Sequence, residues 1–197
     1  FDKNLTIELD ATDGNIVKAG SYTKDLTVTV GSVSMDASAE AHTLTGGSGT
    51  DTLKVTHAHS DEILLTNVTK FDNLTLISDG ISSHTSTITP ADTVVAKDAT
   101  LTVDAEGLST GTQSIFVFDG SAEKNGNFNI KVKGTRAHTA TLGEGNDTFT
   151  DTGSGAVEVT ANKGNNTITL GTGAGKVTSG SGTDIITGGT GADTFIF

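Results

Sequence analysis

Between residues 141 and 197, glycines recur at Gly145, Gly155, Gly164, Gly173, Gly182 and Gly191, in steps of 10, 9, 9, 9 and 9. Two residues after each stand Asp147, Val157, Asn166, Gly175, Asp184 and Asp193. Two further on come Phe149, Val159, Ile168, Val177, Ile186 and Phe195, every one apolar. This unit predicts a six-residue glycine turn followed by a three-residue strand whose central side chain points inward. Two units then close a coil of about 18 residues, and neighbouring coils stack at the ordinary strand spacing of roughly 4.8 Å. Glycine suits such turns because the backbone must visit positive φ and aim its carbonyls at a shared point.

Stacking brings equivalent side chains of successive coils together. Two unit charges about 5 Å apart repel by roughly 3 kcal/mol at an effective dielectric near 20. A calcium ion between coils reverses that sign, taking about six to eight carboxylate and carbonyl oxygens. Successive units alternate sides. Asp147, Asn166 and Asp184 therefore share one flank, and Val157, Gly175 and Asp193 the other. The predicted metal ligands are Asp147, Asn166 and Asp184, helped by carbonyls near Gly143, Gly145, Gly164, Gly180 and Gly182. On the opposite flank only Asp193 offers a carboxylate, and that side is expected to be empty or weak. Asp151 is read as following its strand, away from the metal. An isolated further copy, "GGSGTDTLK" at 46–54, adds Asp51 as a candidate ligand.

The run resembles the RTX nonapeptide, G-G-x-G-x-D-x-apolar-x, which binds calcium in a parallel β-roll. "GGTGADTFIF" (188–197), "SGSGTDIIT" (179–187) and "GEGNDTF" (143–149) fit it closely, while the units at 153–159 and 171–177 lack the acid. The resemblance implies a tail that stays unfolded where calcium is scarce, leaves the cell through a type I secretion channel and folds outside. The thin core of such a roll points the same way, since ordering each backbone residue costs about 1–2 kcal/mol.

Residues 1–140 repeat more loosely. Apolar runs begin at 5, 26, 53, 74, 94 and 115, and "LTVTV" and "NIKVK" alternate as half-buried strands do. The predicted strands are Leu5–Leu9, Leu26–Val30, Leu53–Val55, Leu74–Ile77, Val94–Ala96, Leu101–Val103, Ile115–Phe118 and Phe128–Val132. Steps near 20 residues favour a solenoid over a β-sandwich. The expected fold is all-β: a parallel β-helix or β-solenoid over 1–140 leading into an RTX β-roll over 141–197. Threonine outnumbers even the 25 glycines, as suits strands and turns, and the chain has no cysteine to staple so polar a composition.

The formal charge of −12 argues against nucleic acid, which needs clustered Lys and Arg. No apolar run is long enough to span a membrane. The chain opens at Phe1 without a signal peptide and closes within the apolar triplet Phe195 to Phe197, as expected of an uncapped piece of a longer protein. "LTGGSGTDTLKVT", "NVTKFDNLTLIS", "LTVDAEGLS" and "FDGSAEKNGNFNI" resemble the Thr-rich scaffold of bacterial surface-layer proteins, with Lys70 and Asp72 departing from the phrase V-T-G-F-E-x-L-T-L. That resemblance implies a calcium-dependent lattice on the cell surface, built by self-association, with cell-surface polysaccharide a second partner left open. The alternatives are an adhesin or carbohydrate-binding module, and the C-terminal folding domain of an RTX exoenzyme.

Enzyme signatures fail one by one. None of the five histidines, His42, His57, His59, His84 and His138, belongs to an H-E-x-x-H motif, and no G-x-S-x-G window occurs. "GTGAGKV" (171–177) lacks the Ser or Thr that a phosphate loop needs after its lysine. His57 and His59 with Asp61 or Glu62 could hold zinc, but a solvated loop between Val55 and Ile63 is the simpler reading. "DGSAEKNGN" (119–127) reads as a long turn. Phe116, Phe118, Phe149 and Phe195 read as core, which leaves few aromatics for a sugar platform. Circular dichroism checks the calcium dependence: in chelator the β signal of 141–197 should be lost and in millimolar calcium regained, whereas an unchanged spectrum would refute it.

Overall fold

The computed structural model describes residues 3–9, 14–31, 42–57, 62–80, 84–109 and 114–197. Strands are numbered in chain order. One nine-stranded parallel sheet contains β1 (Leu5–Glu8), β3 (Leu26–Gly31), β5 (Thr52–His57), β8 (Asn73–Ser78), β10 (Thr100–Asp104), β12 (Asn127–Val132), β14 (Thr148–Asp151), β16 (Thr167–Thr169) and β18 (Ile185–Thr187). The opposite seven-stranded sheet contains β6 (Glu62–Leu65), β9 (Thr85–Pro90), β11 (Ile115–Asp119), β13 (His138–Thr141), β15 (Val157–Thr160), β17 (Gly175–Thr178) and β19 (Thr194–Ile196). Near the N-terminus β2 (Ile16–Lys18), β4 (Thr43–Thr45) and β7 (Val68–Thr69) form a third, three-stranded sheet. Every pairing among the described residues is parallel, so the chain is a β-solenoid of about eight turns.

The register shows how the sequence builds it. Val28, Leu53, Leu74, Val103, Ile130, Phe149 and Ile168 form one inward column through the long sheet, each paired with the next. Facing it, Ile63, Ile88, Phe118, Ala140, Val159, Val177 and Phe195 form the column of the second sheet. All but Phe195 in these columns are essentially sealed from solvent. Outside them stand Thr and charged residues, because successive strand side chains point to opposite faces. Phe118 packs edge-on against Phe128 at 4.9 Å and stacks on Phe116 at 6.1 Å, filling the widest coils. Such a fluid-free aromatic contact is worth more than its area alone.

Coil size changes along the molecule. Pairs Leu5↔Leu26, Thr27↔Thr52, Thr52↔Asn73, Asn73↔Thr102 and Thr100↔Asn127 give steps of 21, 25, 21, 29 and 27 residues. From Asn129↔Thr148 onward the steps settle to 19, 19 and 18. Both sheets run without a break through residue 140, β12 pairing with β14 and β13 with β15. The sandwich alternative for 1–140 is not what forms.

Two sequence expectations need correction. Val94–Ala96 is a bend rather than a strand; Val94 and Val95 are buried because they plug the wide turn between β9 and β10. The run at 115 belongs to the second sheet, so the series 5, 26, 53, 74 continues at Leu101 rather than at 94 or 115. Phe195 is 39% exposed, since no described coil lies beyond β19 to cover it. Among the described residues the one helical element is a 3₁₀ turn at Glu106–Ser109, and no helix is long and apolar enough to cross a membrane. Phe118→Ala should cost about 3–5 kcal/mol by opening a cavity where three aromatic rings meet, read as a lowered urea midpoint with calcium present. A loss under about 1 kcal/mol would contradict this packing.

Candidate metal centre

At the start of several strands, the N–H of the first inward residue lies just ahead of the sheet ladder. A buried N–H must find an acceptor. Here it finds a side chain from the next coil. Leu26 N–H donates to Asp51 Oδ1 (2.9 Å), and Asp51 N–H to Asp72 Oδ2 (2.8 Å). Farther on, Phe128 N–H donates to Asp147 Oδ1 (2.7 Å), Asp147 N–H to Asn166 Oδ1 (2.9 Å) and Asn166 N–H to Asp184 Oδ1 (2.8 Å). The predicted residues Asp51, Asp147, Asn166 and Asp184 thus lie in one column on one flank. Each such bond contributes about 0.5–1.5 kcal/mol net, and more when the acceptor is charged.

The second oxygen of each buried aspartate turns back into its own glycine turn. Gly47 N–H donates to Asp51 Oδ2 (2.5 Å) and Gly143 N–H to Asp147 Oδ2 (3.0 Å). Burial pushes the Asp147 carboxyl up to about 6; the N–H groups of Phe128 and Gly143 oppose this, and the charge of Glu123 adds to it. The turns themselves lie in van der Waals contact. Gly164 has φ +92° and Gly182 φ +124°, where other side chains are strained. A Cβ on Gly164 would overlap the carbonyl oxygen of Gly145, and one on Gly182 that of Gly164. Main-chain oxygens therefore line the gap between coils. Just outside runs a second ladder: Asn127 Oδ1 accepts from Asn146 N–H (2.7 Å), Asn146 Oδ1 from Asn165 N–H (2.8 Å) and Asn165 Oδ1 from Thr183 N–H (2.8 Å).

At the Asn166 turn the oxygens converge on one point. Asn166 Nδ2 lies 3.1 Å from the Lys163 carbonyl, 3.4 Å from those of Ala161 and Gly164, and 3.0 Å from Asp184 Oδ1. An amide N–H₂ group takes there the place that a cation would take among the same oxygens. Among the described residues no three His, Cys, Asp or Glu side chains cluster. A metal on this flank must therefore draw mainly on carbonyls with one or two carboxylates, a donor set that fits calcium and not zinc. Asp147, Asp184 and the carbonyls beside Gly143, Gly145, Gly164, Gly180 and Gly182 would hold it, and the ion would add the positive charge that the stacked oxygens lack.

The opposite flank does this only in part, since Val157 N–H donates to the Ala174 carbonyl (3.1 Å) and His138 N–H to that of Ala156 (2.9 Å). Asp193 Oδ1 accepts from Gly175 N–H (2.9 Å), and Gly175 pairs with Val157, which pairs with His138. His138 stands where an acid would stand, and its Nδ1 accepts from Phe116 N–H (3.1 Å). His42 does the same for Asn15 N–H (2.8 Å). Burial lowers the pKa of both rings, against which the Asp151 charge and the Lys133 carbonyl act at His138. No sequence motif singles these histidines out. Counting back by the coil length from Asp193 through Gly175 and Val157 reaches His138 and would have found it.

Asp151 needs correcting. It is the last residue of β14, points inward, is 3% exposed and accepts from Gly153 N–H (2.7 Å). It therefore ends the strand rather than following it, and it stands off the Asp147 flank as expected. His57 ends β5, while His59 and Asp61 lie outside the described residues. Lys176 is a surface charge paired with Glu158.

A parallel solenoid whose glycine turns stack carbonyls and carboxylates on one flank defines a calcium-binding β-roll. The family model of the RTX calcium-binding nonapeptide repeat, in four copies, matches residues 141–177 and 178–196. Residues 141–196 are therefore RTX repeats, and the ion such repeats bind is calcium. No curated protein and no solved structure matches the chain.

Asn166→Asp tests the reading of this turn. Exchanging the amide for a carboxylate removes the two N–H donors that these oxygens share, costing roughly 1–3 kcal/mol without calcium. It also adds a charged ligand, so the calcium midpoint for folding should fall. A variant that is more stable in chelator, or that needs more calcium, would refute it.

Proposed function

We propose that this chain is a structural, calcium-binding segment of a secreted bacterial surface-layer protein, with no catalytic role. It folds on calcium outside the cell and associates with copies of itself. The carrying observation is the pair of parallel sheets, one running from β1 to β18 and the other from β6 to β19, which stack coil on coil into one continuous scaffold. β18 and β19 form the edge of the two sheets and leave Ile185, Ile196 and Phe197 exposed, surface of the kind that seats a further coil or a second copy. His42 and His138, which a catalytic reading would want accessible, are instead buried caps on main-chain N–H groups.

Electron microscopy of the protein with millimolar calcium tests the proposal. Ordered two-dimensional sheets that dissolve in chelator are the expected result. Discrete monomers at every calcium concentration would refute the surface-layer reading while leaving calcium binding intact.

A further inference from the structure

The turn joining β11 to β12 holds a carboxylate that the repeat pattern does not explain. In that coil the flank column is occupied by Phe128, which has no oxygen to offer. Glu123, reaching in from the far end of the turn, is 0% exposed. Its Oε1 accepts from Asn125 N–H (3.0 Å) and Gly126 N–H (2.8 Å), while its Oε2 is enclosed and has no partner. Asp147, 1% exposed, comes to the same place from the next coil. Gly143 lies between them: its N–H donates to Asp147 Oδ2 (3.0 Å), and a Cβ on it would stand 3.2 Å from the Glu123 Cβ.

We propose that Glu123 and Asp147 hold a calcium ion between the turn of 120–127 and the turn of 142–147, one coil ahead of the repeats. An enclosed carboxylate oxygen without a donor is costly, and two carboxylates enclosed side by side are costlier still. A dication resolves both. All the available donors are oxygens, since the Gly126 carbonyl points at Gly145 and the Glu123 carbonyl lies against Gly143, where it accepts Glu144 N–H (3.0 Å). Hard oxygen donors with two negative charges select calcium over softer metals. The nearby lysines do not compete for the place: Lys124 and Lys163 are both drawn outward to Glu144, at 3.0 and 2.8 Å. The site joins Glu123, which no nonapeptide motif contains, to Asp147 of the first repeat, and so extends the metal ladder into the preceding scaffold.

The inference rests on the chain binding calcium, and the experiment separates the two. Equilibrium dialysis counts the ions bound by the full chain, by Glu123→Gln and by Glu144→Gln. Glu123→Gln should bind one ion fewer, and Glu144→Gln as many as the unaltered chain. An unchanged count and affinity in Glu123→Gln would overturn the site. Crystals of the unaltered chain grown in calcium supply a second readout that no folding defect can obscure. An anomalous peak bounded by Glu123 Oε2 and Asp147 is expected, and peaks confined to the later turns would overturn the site alone. If the unaltered chain binds no calcium at all, both this site and the proposed function fall.

Discussion

The distance between two neighbouring parallel strands governs everything else in this molecule. Because each coil sits roughly 4.8 Å above the last, any residue repeated once per coil meets its own equivalent at near-contact distance. For apolar residues the meeting is favourable, and Val28 to Ile168 become a continuous core. For glycines it is permissive, since their turns can touch only where no Cβ intervenes. For carboxylates it is unfavourable until main-chain N–H groups or a cation intervene. One spacing thus sets the hydrophobic pattern, the glycine content and the need for calcium together.

Much of this was legible in the sequence. The nine-residue period from Gly145 to Gly191 is strict because each turn is too crowded to vary, and it correctly assigned Asp147, Asn166 and Asp184 to one flank. The columns from Leu26 to Leu74 were also readable. Legibility failed in the wide coils. There the steps stretch to 29 and 27 residues, and buried turn residues such as Val94 and Val95 imitate a strand in any apolar count. β9, "TSTITP", and β13, "HTAT", are strands with too few apolar residues to announce themselves. Their inward Ser86 and His138 are polar, yet both are buried. Glu123 was invisible for another reason: its role comes from the fold of a turn, not from a position in a repeat.

The histidines show how one structural task can be met by different chemistry. A strand-initial N–H needs an acceptor from the coil above. An aspartate oxygen provides it at Asp51, an amide oxygen at Asn166 and an imidazole nitrogen at His138. Only the first brings charge, so the coils differ in their capacity to recruit an ion. Distribution of charge along the column, rather than the column itself, decides where the metal ladder begins and ends.

The outer ladder from Asn127 through Asn146 and Asn165 to Thr183 carries a consequence for how such a chain can change length. Each of its bonds joins a residue to its equivalent one coil later, at separations of 19, 19 and 18. Deleting one residue from a turn would misalign that rung, the flank column and the strand register at once. Removing or duplicating a whole coil would leave every remaining neighbour contact as it was. Change of length by complete turns, as beads on a string, therefore disturbs these ladders least, while the shorter and longer coils of the same molecule differ where their turns can bulge outward.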